Sequence, residues 1–486
     1  MRRRLVAYVV FFMMGIVSGL AGYRIMVLFA GTGLLFVKSL RKCSSEEGRF
    51  VMILVIMFLA GFIRITAADC NMYDKEMESH IGLPYTCYGY IKDIKPAKDG
   101  RFRIVAEVNG TGVLCYYKGE INNCYSITGR RILFTLRPGR AEGDFYARSS
   151  GCSYTSNING FLLGDFVNSP FTQFKRRILL KQSHFTDRFK ERNDSKGFLS
   201  GILFGNTSFM NEETRELFSY NGTAHILAVS GLHIGILYGF YKFVQKKLRK
   251  KLFTFIYLVL LFIYGTAAGW SVSVARAVIM ILVLMTGELT DRPYDMLTAA
   301  FFSSFIILLK NPYYLFTAGF QMSFLAVVSI AFLMPLFTEY IGTYWSMVMA
   351  VQAGLLPYIM YTFDKCSLRG IVLNIPTVFL AGILVPAGVI AFFFYMISGI
   401  SFKVIEYFLM NMADLIVWIN SLFEGSEFLS SDITIASPFY LVLYYSCIFF
   451  VSSEFFTVHR LRKEYLMLAK VYFLFFMMAY ILSISI

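Results

Sequence analysis

The sequence predicts a polytopic α-helical membrane protein that carries one small β-rich domain outside the membrane. The chain has 486 residues, of which 57% are hydrophobic and only 16% are charged, whereas a soluble domain usually has about 25% charged residues. Uncharged runs recur along it, at 11–20, 51–62, 252–263 and 277–286. A helix needs roughly 20 mostly apolar residues to cross a bilayer core of about 30 Å. Repeated spanning is therefore the simplest interpretation, with about 12 to 14 transmembrane or re-entrant helices.

The positive charge has two interpretations. The formal net charge is +15, which in a soluble protein would indicate a nucleic-acid surface. In a membrane protein, the excess of Lys and Arg in cytoplasmic loops gives the same sign. Charge alone therefore does not establish a nucleic-acid partner.

Composition divides the chain into three regions. Residues 1–67 form N-terminal transmembrane helices, with a short middle segment at 25–37. Residues 68–196 are polar and hold five of the eight cysteines, which predicts an extracytoplasmic domain. Residues 197–486 are membrane-like again. The basic start before an apolar stretch is similar to a signal peptide, but no small-residue cleavage site follows, so we expect a retained first helix.

Loop charges predict that the N-terminus is cytoplasmic and that the middle region lies outside. The basic residues precede the first helix, separate the second and third apolar segments, and fill two later loops. They are Arg2, Arg3, Arg4, Lys38, Arg41, Lys42, Arg49, the basic residues of 242–251, His459, Arg460, Arg462 and Lys463.

Two segments weaken the count of spans. Pro376 and Pro386 interrupt 371–398, while 401–423 carries Lys403, Glu406 and Asp414. Either segment can be a broken, re-entrant or interfacial helix. The loop charges therefore fix an orientation but not a number of spans.

The middle region predicts a small β-barrel of the OB type. Segments 101–108 and 131–136 alternate, favour β-forming residues and end near Gly or Asn. Several short strands in about 80 residues suit such a barrel. OB-folds bind single strands by stacking bases on aromatic side chains beside basic groups, although aromatic side chains are equally common in any barrel core. The DNA-binding candidates are Phe102, Arg103, Tyr116, Tyr117, Lys118, Arg130 and Arg131.

The cysteines of this region predict a structural disulfide. Disulfides persist outside the cytoplasm, and no spacing typical of a zinc site is present. The five cysteines allow at most two bridges, whose pairing the sequence leaves open. The region contains Cys70, and the disulfide candidates are Cys87, Cys115, Cys124 and Cys152.

The segment 221–239 places ionisable residues in an otherwise apolar stretch. On a regular helix His225, Ser230 and His233 fall within about 140° of one another, and Gly231, Gly235 and Gly239 within about 80° on the adjacent face. The glycines predict close helix packing. The polar face would then line an aqueous cavity or hydrogen bond within the packing. The Ser-Gly pair is also a plausible break.

Metal binding and catalysis fit this segment less well. The two histidines would lie about 12 Å apart on a continuous helix, too far for one ion. No acidic residue and no G-x-S-x-G elbow accompanies the serine. We expect no metal, no cofactor and no enzymatic activity.

The stretch His225-Ile-Leu-Ala-Val-Ser-Gly-Leu-His233 resembles the signature of the ComEC-type competence family. Further blocks resemble that family in the same order: Gly201-Ile-Leu-Phe-Gly-Asn206, Ser273-Val-Ala-Arg-Ala277, Asn311-Pro312 with Ala318-Gly-Phe-Gln-Met-Ser-Phe324, and Asn374-Ile-Pro376. The resemblance covers about 197–398 well and the outer domain more loosely. Longer members of the family end in a metallo-β-lactamase-like domain, which we expect this chain to lack.

The resemblance implies that intramembrane polar residues line a DNA passage. The channel-lining candidates are His225, Ser230, His233, Arg276, Gln321 and Asn374. Arg276 would hold phosphate oxygens or extend to lipid headgroups. Gln321 and Asn374 would line the pore or bond between helices.

The function implied is a channel in the bacterial cytoplasmic membrane for uptake of single-stranded DNA during natural transformation. Its partners would be single-stranded DNA, membrane lipid, a cytoplasmic helicase or translocase motor, DNA-uptake pilus components and a separate nuclease. The alternative is a secondary transporter for a small anionic solute. An intramembrane enzyme using His225, Ser230 and His233 ranks last.

Overall fold

A computed structural model of the protein describes residues 3–21, 45–70, 73–96, 101–119, 121, 124–189, 193–245, 250–363, 366–367, 369–422, 430–431, 440–441, 443–446 and 448. The apolar segment 25–37, Lys38, Arg41 and Lys42, and the basic loop 459–463 lie outside the described residues.

The described part is mostly helical, and many of its helices are long and apolar. By length and composition, five segments can cross a membrane: Met52–Asp69, Val272–Leu289, Ala318–Thr338, Trp345–Phe363 and Val372–Ser398. Three apolar helices are shorter: Arg4–Leu20, Leu252–Ala267 and Met296–Lys310. The predicted class, a multi-pass helical membrane protein with a β-rich domain, is confirmed. The total of about 12 to 14 helices stays a prediction.

Helices are numbered in chain order. They are α1 (Arg4–Ala21), α2 (Ser45–Cys70), α3 (Lys75–Ser79), α4 (Cys124–Ile127), α5 (Phe145–Ser149), α6 (Pro170–Thr186), α7 (Asn193–Phe204), α8 (Glu212–Tyr220), α9 (Gly231–Gln245), α10 (Lys250–Ala267), α11 (Val272–Leu289), α12 (Met296–Lys310), α13 (Ala318–Phe363), α14 (Arg369–Ser398) and α15 (Lys403–Ser421). Three 3₁₀ turns cover Asp187–Phe189, Ala224–Leu227 and Pro312–Phe316.

The chain forms two compact units. The first contains Met1–Ser323 and Val372–Ser426, and the second contains Phe324–Ile371 and Glu427–Ile486. In the second unit, α13 is interrupted at Gly342, whose φ of 73° is left-handed, a conformation that glycine adopts at little cost. Tyr444 and Tyr445 donate hydrogen bonds to the carbonyls of Ala353 and Gly354 (2.7 and 2.8 Å).

Helix α14 corrects the expectation of a broken segment at 371–398. It is a single helix of 30 residues with Pro376 and Pro386 inside it. Proline removes one backbone donor, but helices in lipid tolerate it where neighbouring groups satisfy the freed carbonyls. The hydroxyl of Thr377 donates to the carbonyl of Leu373 (2.5 Å) beside the first proline.

Helix α15 has one buried face. Leu409, Met410, Ala413, Ile416 and Asn420 are buried, at the spacing of three and four that places side chains on one side of a helix. Lys403 is exposed, while Glu406 is half-buried and accepts a hydrogen bond from the Ser401 hydroxyl. The helix is unbroken, so the expectation of a broken segment at 401–423 is wrong. That the segment is re-entrant or interfacial stays a prediction.

The β-rich domain is one seven-stranded sheet. Its order is β5-β6-β3-β2-β1-β4-β7, and only the β3–β6 pair is parallel. Alternating side chains fill its core, as in β4, where every second residue from Ile132 is buried. The strands are β1 (Tyr85–Pro96), β2 (Phe102–Val108), β3 (Thr111–Tyr117), β4 (Arg130–Leu136), β5 (Gly139–Arg140), β6 (Cys152–Ile158) and β7 (Phe161–Phe166), while β8 (Cys366–Ser367) and β9 (Ser430–Ser431) pair in the second unit.

The OB-like identity of this domain stays a prediction, although parts of its topology suit that fold. Strands β1, β2 and β3 form an antiparallel meander, and β1 also pairs with β4. The described strands outnumber the five of a minimal OB barrel.

The cysteines correct the expectation of a bridge among three of the candidates. Cys87, Cys115 and Cys152 are buried free thiols. Strand β2 separates Cys87 on β1 from Cys115 on β3: Cys115 pairs with Ile104, and Ile104 pairs with Ile94 rather than with Cys87. On β6, Cys115 pairs with Ser156. Cys152 lies four residues before Ser156, which is about 13 Å along the strand. A disulfide needs Cα atoms within about 7 Å. The side chains of Cys70 and Cys124 lie outside the described residues.

A polar joint fastens the β-rich domain to the membrane helices of the first unit. The Arg148 guanidinium, in α5, bonds Asp69 at the end of α2 (2.9 Å) and the hydroxyl of Tyr73 (3.0 Å). The amide of Asn311 donates to the carbonyls of Arg148 and Ser149 (2.9 and 3.1 Å). Tyr313 also donates to Asp69. The Asn-Pro block singled out in the sequence therefore holds the β-rich domain in place.

Candidate functional site

The segment around the two histidines is not one continuous helix, so the regular-helix expectation is wrong and the alternative of a break at the Ser-Gly pair is confirmed. Ala224–Leu227 is a 3₁₀ turn, Ala228 is extended, and α9 begins at Gly231. The break falls at the Ser-Gly pair. Because of it, His225 and His233 do not share a helix face: the side chain of His225 is exposed, while His233 is 1% exposed.

Ser230 and His233 together close the first turn of α9. The Oγ atom of Ser230 lies 3.1 Å from Nδ1 of His233, and the Ser230 backbone N–H donates to the same nitrogen (3.3 Å). The Leu232 N–H donates to Ser230 Oγ (3.2 Å). A serine hydroxyl that accepts an N–H near the helix start acts as an N-cap. These contacts give both residues a positioning role.

Arg276 lies against this turn from the neighbouring helix α11. The side chain is 7% exposed. A Cβ added to Gly231 would lie 3.3 Å from the Nη2 atom of Arg276 and 3.8 Å from the Cβ of Ala277. The structure therefore brings Ser230, Gly231, His233 and Arg276 together.

Of the row Gly231, Gly235 and Gly239, only Gly231 lies against α11 in the described part of the chain. The close-packing role predicted for Gly235 and Gly239 is therefore wrong. A Cβ on Gly235 or Gly239 would have no heavy atom of the structure within 4 Å. Helix α9 contacts α11 through Tyr238 and Lys242, which both bond Glu288 (2.9 Å). Each step of four residues turns about 40° around a helix, so the glycine row rotates away from this contact.

The remaining channel-lining candidates lie elsewhere. Gln321 donates to the carbonyl of Leu315 (2.9 Å), across the start of α13. Asn374 lies in α14, and its buried Oδ1 accepts no hydrogen bond from the described residues. The pore-lining role of both residues stays a prediction.

The β-rich domain has a polar groove of about 1140 Å³. Arg101, Tyr116 and Arg137 lie on it beside Thr135 and Asn157. The Arg101 guanidinium lies 5.7 Å from the centre of the Tyr116 ring, an arrangement that favours stacking of planar groups.

Of the seven predicted DNA contacts, only Tyr116 lines this groove. Arg103 and Arg130 lie over the rings of Tyr146 and Phe166 (5.0 and 4.7 Å). Tyr117 packs edge-on against Phe161 (5.1 Å), and Phe102 packs against the core. Lys118 and Arg131 are exposed.

Sequence reasoning missed Arg101 and Arg137. They stand at the start of β2 and after the end of β4. Which strand ends lie next to each other depends on the register of the sheet, and the sequence does not supply that register.

The fold and this site define a multi-pass membrane protein with a β-rich domain and buried polar residues between its helices. The profile of the competence protein family matches residues 202–455, which is 254 of 486 residues. The chain belongs to the competence protein family.

Two curated relatives align with parts of the chain. ComE operon protein 3 of Bacillus subtilis is 28% identical over 209 residues, which cover 41% of this chain and 27% of the relative. Recombination protein 2 of Haemophilus influenzae is 28% identical over 109 residues, which cover 21% of this chain and 14% of the relative. The aligned part thus spans less than a third of either relative. No solved structure matches the chain.

Proposed function

We propose that the protein is a channel in the bacterial cytoplasmic membrane that admits single-stranded DNA during natural transformation. The observation that carries this proposal is its membership of the competence family across the membrane helices, including the segment from His225 to His233. The buried cation Arg276 supports it, because a polyanion that crosses a membrane needs positive groups along its path.

The outer groove is the proposed entry point for the strand. Arg101 and Arg137 supply charge for phosphates, and Tyr116 supplies a ring on which a base stacks. The β-rich domain also approaches the turn before the helix of Arg276: the Nζ atom of Lys95, at the end of β1, is 3.8 Å from the position of a Cβ on Gly269. Gly269 belongs to the turn that precedes α11, the helix that carries Arg276.

The proposal includes the partners and orientation that the resemblance implies. The N-terminus is cytoplasmic and the β-rich domain faces outward. A cytoplasmic helicase or translocase pulls the strand, pilus components deliver DNA, and a separate nuclease removes the second strand. The protein itself performs no catalytic step.

A secondary transporter for a small anionic solute is the second candidate. The same Arg276 favours it, because one buried guanidinium can also hold a small anion. The two candidates differ in what crosses the membrane, so one experiment separates them.

Uptake of labelled DNA into a transformable host tests the proposal. We expect a deletion strain to lose uptake and the wild-type gene to restore it. His233→Ala and Arg276→Ala should reduce uptake at unchanged protein level, whereas the exposed Arg292→Ala should not. Undiminished uptake in the deletion strain would refute the channel and leave the solute transporter.

A further inference from the structure

Arg276 is a buried cation whose charge the described residues do not neutralise. Its Nε and Nη1 atoms are buried and hydrogen bond to none of them. Within the described ranges no carboxylate lies within ion-pair distance of it, although pairs form elsewhere, such as Lys242 with Glu288 (2.9 Å). Burial of an unpaired charge is strongly unfavourable, so residues of this kind usually serve a ligand or a partner.

A second source of positive potential faces the same place. Helix α9 has 15 residues and begins at Gly231, against which the Arg276 guanidinium lies. The N–H of Leu232 bonds Ser230 Oγ and that of Ile234 bonds the Ser230 carbonyl (3.5 Å). Those of Gly231 and His233 meet no acceptor among the described residues. The N-terminus of a helix carries a partial positive charge and binds anions through such N–H groups.

Two positive groups placed together are stable when an anion lies between them. We propose that Arg276 and the first turn of α9 form a binding site for one phosphodiester group of the passing strand. The proposal rests on the proposed function and adds the group that is bound. A planar guanidinium binds two oxygens of a phosphate at once, and backbone N–H groups of α9 bind the same group.

The neighbouring residues fit this site. A Cβ on Gly231 would sit 3.3 Å from Nη2, in the space where an oxygen approaches both positive groups. Ser230 and His233 are positioning residues, since their contacts fix the first turn of α9. Each phosphate neutralised on a single strand contributes about −0.7 to the slope of log affinity against log salt. Arg276→Gln should make that slope less steep by about this amount.

The test uses the full chain purified in a maltoside detergent, which contains no phosphate. Its unfolding temperature is measured in chloride, in inorganic phosphate at equal ionic strength, and with a short oligothymidylate. We expect phosphate and oligothymidylate each to raise it by at least about 2 °C, because both bind the folded state. Arg276→Gln should abolish the increase, Gly231→Ala should reduce it, and the exposed Arg292→Gln should retain it.

Arg276→Met keeps the test decisive if another variant fails to fold. Removal of an unpaired buried charge should not lower the unfolding temperature in chloride, yet it should abolish the phosphate effect. An undiminished increase in Arg276→Gln or Arg276→Met would overturn the site. An increase with added phosphatidylglycerol but with neither phosphate nor oligothymidylate would assign the site to a lipid headgroup and overturn the phosphodiester proposal. A phosphate effect that depends on Arg276, with DNA uptake independent of the protein, would refute the channel and retain the anion site.

Discussion

At the scale of single residues, buried polar side chains connect helices that the sequence separates widely. The hydroxyl of Thr223 donates to Oδ1 of Asn420 (2.7 Å), and the Asn221 amide donates to the Asn420 carbonyl (2.8 Å). All three are fully buried. Buried polar groups are stable only with such partners, so this cluster fixes α15 against the turn before the histidine segment.

Thr223→Val should lower the free energy of unfolding by about 1–3 kcal/mol, because it leaves the Asn420 oxygen buried without a donor. Thermal unfolding of the purified protein measures the effect. Thr286→Val is the matched control: its hydroxyl bonds a carbonyl of its own helix at an exposed position. Equal effects in the two variants would contradict the role of the cluster.

The Cys87 thiol should react slowly with alkylating reagents. Burial raises its pKa from 9.0 to about 11. Two pKa units reduce the thiolate fraction at pH 8 by about a hundredfold, and the thiolate is the nucleophile. Mass spectrometry after alkylation should therefore show slow labelling that accelerates as the pH rises toward 11. Tyr88→Cys, at a position that is 74% exposed, should react rapidly.

The same raised pKa predicts a loss of stability at alkaline pH. Below the unfolded pKa the thiol is protonated in both states, and above it the unfolded state loses its proton first. Stability should therefore fall as the pH rises through about 9 to 11. Rapid labelling of Cys87 at pH 8 in the folded protein, or recovery of a disulfide among the three buried thiols, would contradict this packing.

At the scale of elements, local sequence rules predicted the strands better than the interruptions of helices. The alternating segments 101–108 and 131–136 correspond to β2 and β4 because alternation reports directly on a half-buried sheet. The prolines of α14 predicted a break, but the absence of water in lipid favours a continuous helix. At Ser230-Gly231, which the sequence marks as a plausible break, the helix is interrupted. Apolar periodicity continues through a segment whose backbone is extended at Ala228.

The joint at α5 is an element-scale feature that the sequence did not reveal. Arg148 is 7% exposed, and its partners come from α2 and from Tyr73 and Tyr313. The sequence marked Asn311-Pro312 as a family block without its partner, because the contact joins residues 163 positions apart.

Arg148→Met should lower the stability of the attachment by roughly 1–3 kcal/mol, since it removes charged hydrogen bonds from a buried site. Limited proteolysis of the β-rich domain should then proceed faster. Arg140→Met provides the control, because Arg140 pairs with Glu78 (2.6 Å) at an exposed position and such pairs contribute little. Equal protection of wild type and Arg148→Met would show that the apolar contacts alone hold the domain.

At the scale of the whole molecule, the predicted orientation determines which side receives DNA in the proposed function. Loop charges predict that the β-rich domain is outside and that the end of α9 is inside. A membrane-impermeant thiol reagent applied to intact cells should label Tyr88→Cys but not Phe243→Cys. Both positions are well exposed in the structure, at 74% and 67%. The reverse pattern would invert the topology and with it the direction of transport.

We propose that single-stranded DNA passes the first turn of α9 beside Arg276. Photo-crosslinking during uptake tests it most directly, with a photoreactive residue in place of Leu232, on that turn, and in place of Phe255, a 66% exposed residue of α10. We predict that labelled DNA crosslinks at position 232 during uptake and does not crosslink at position 255. Undiminished uptake without any crosslink at position 232 would contradict the claim.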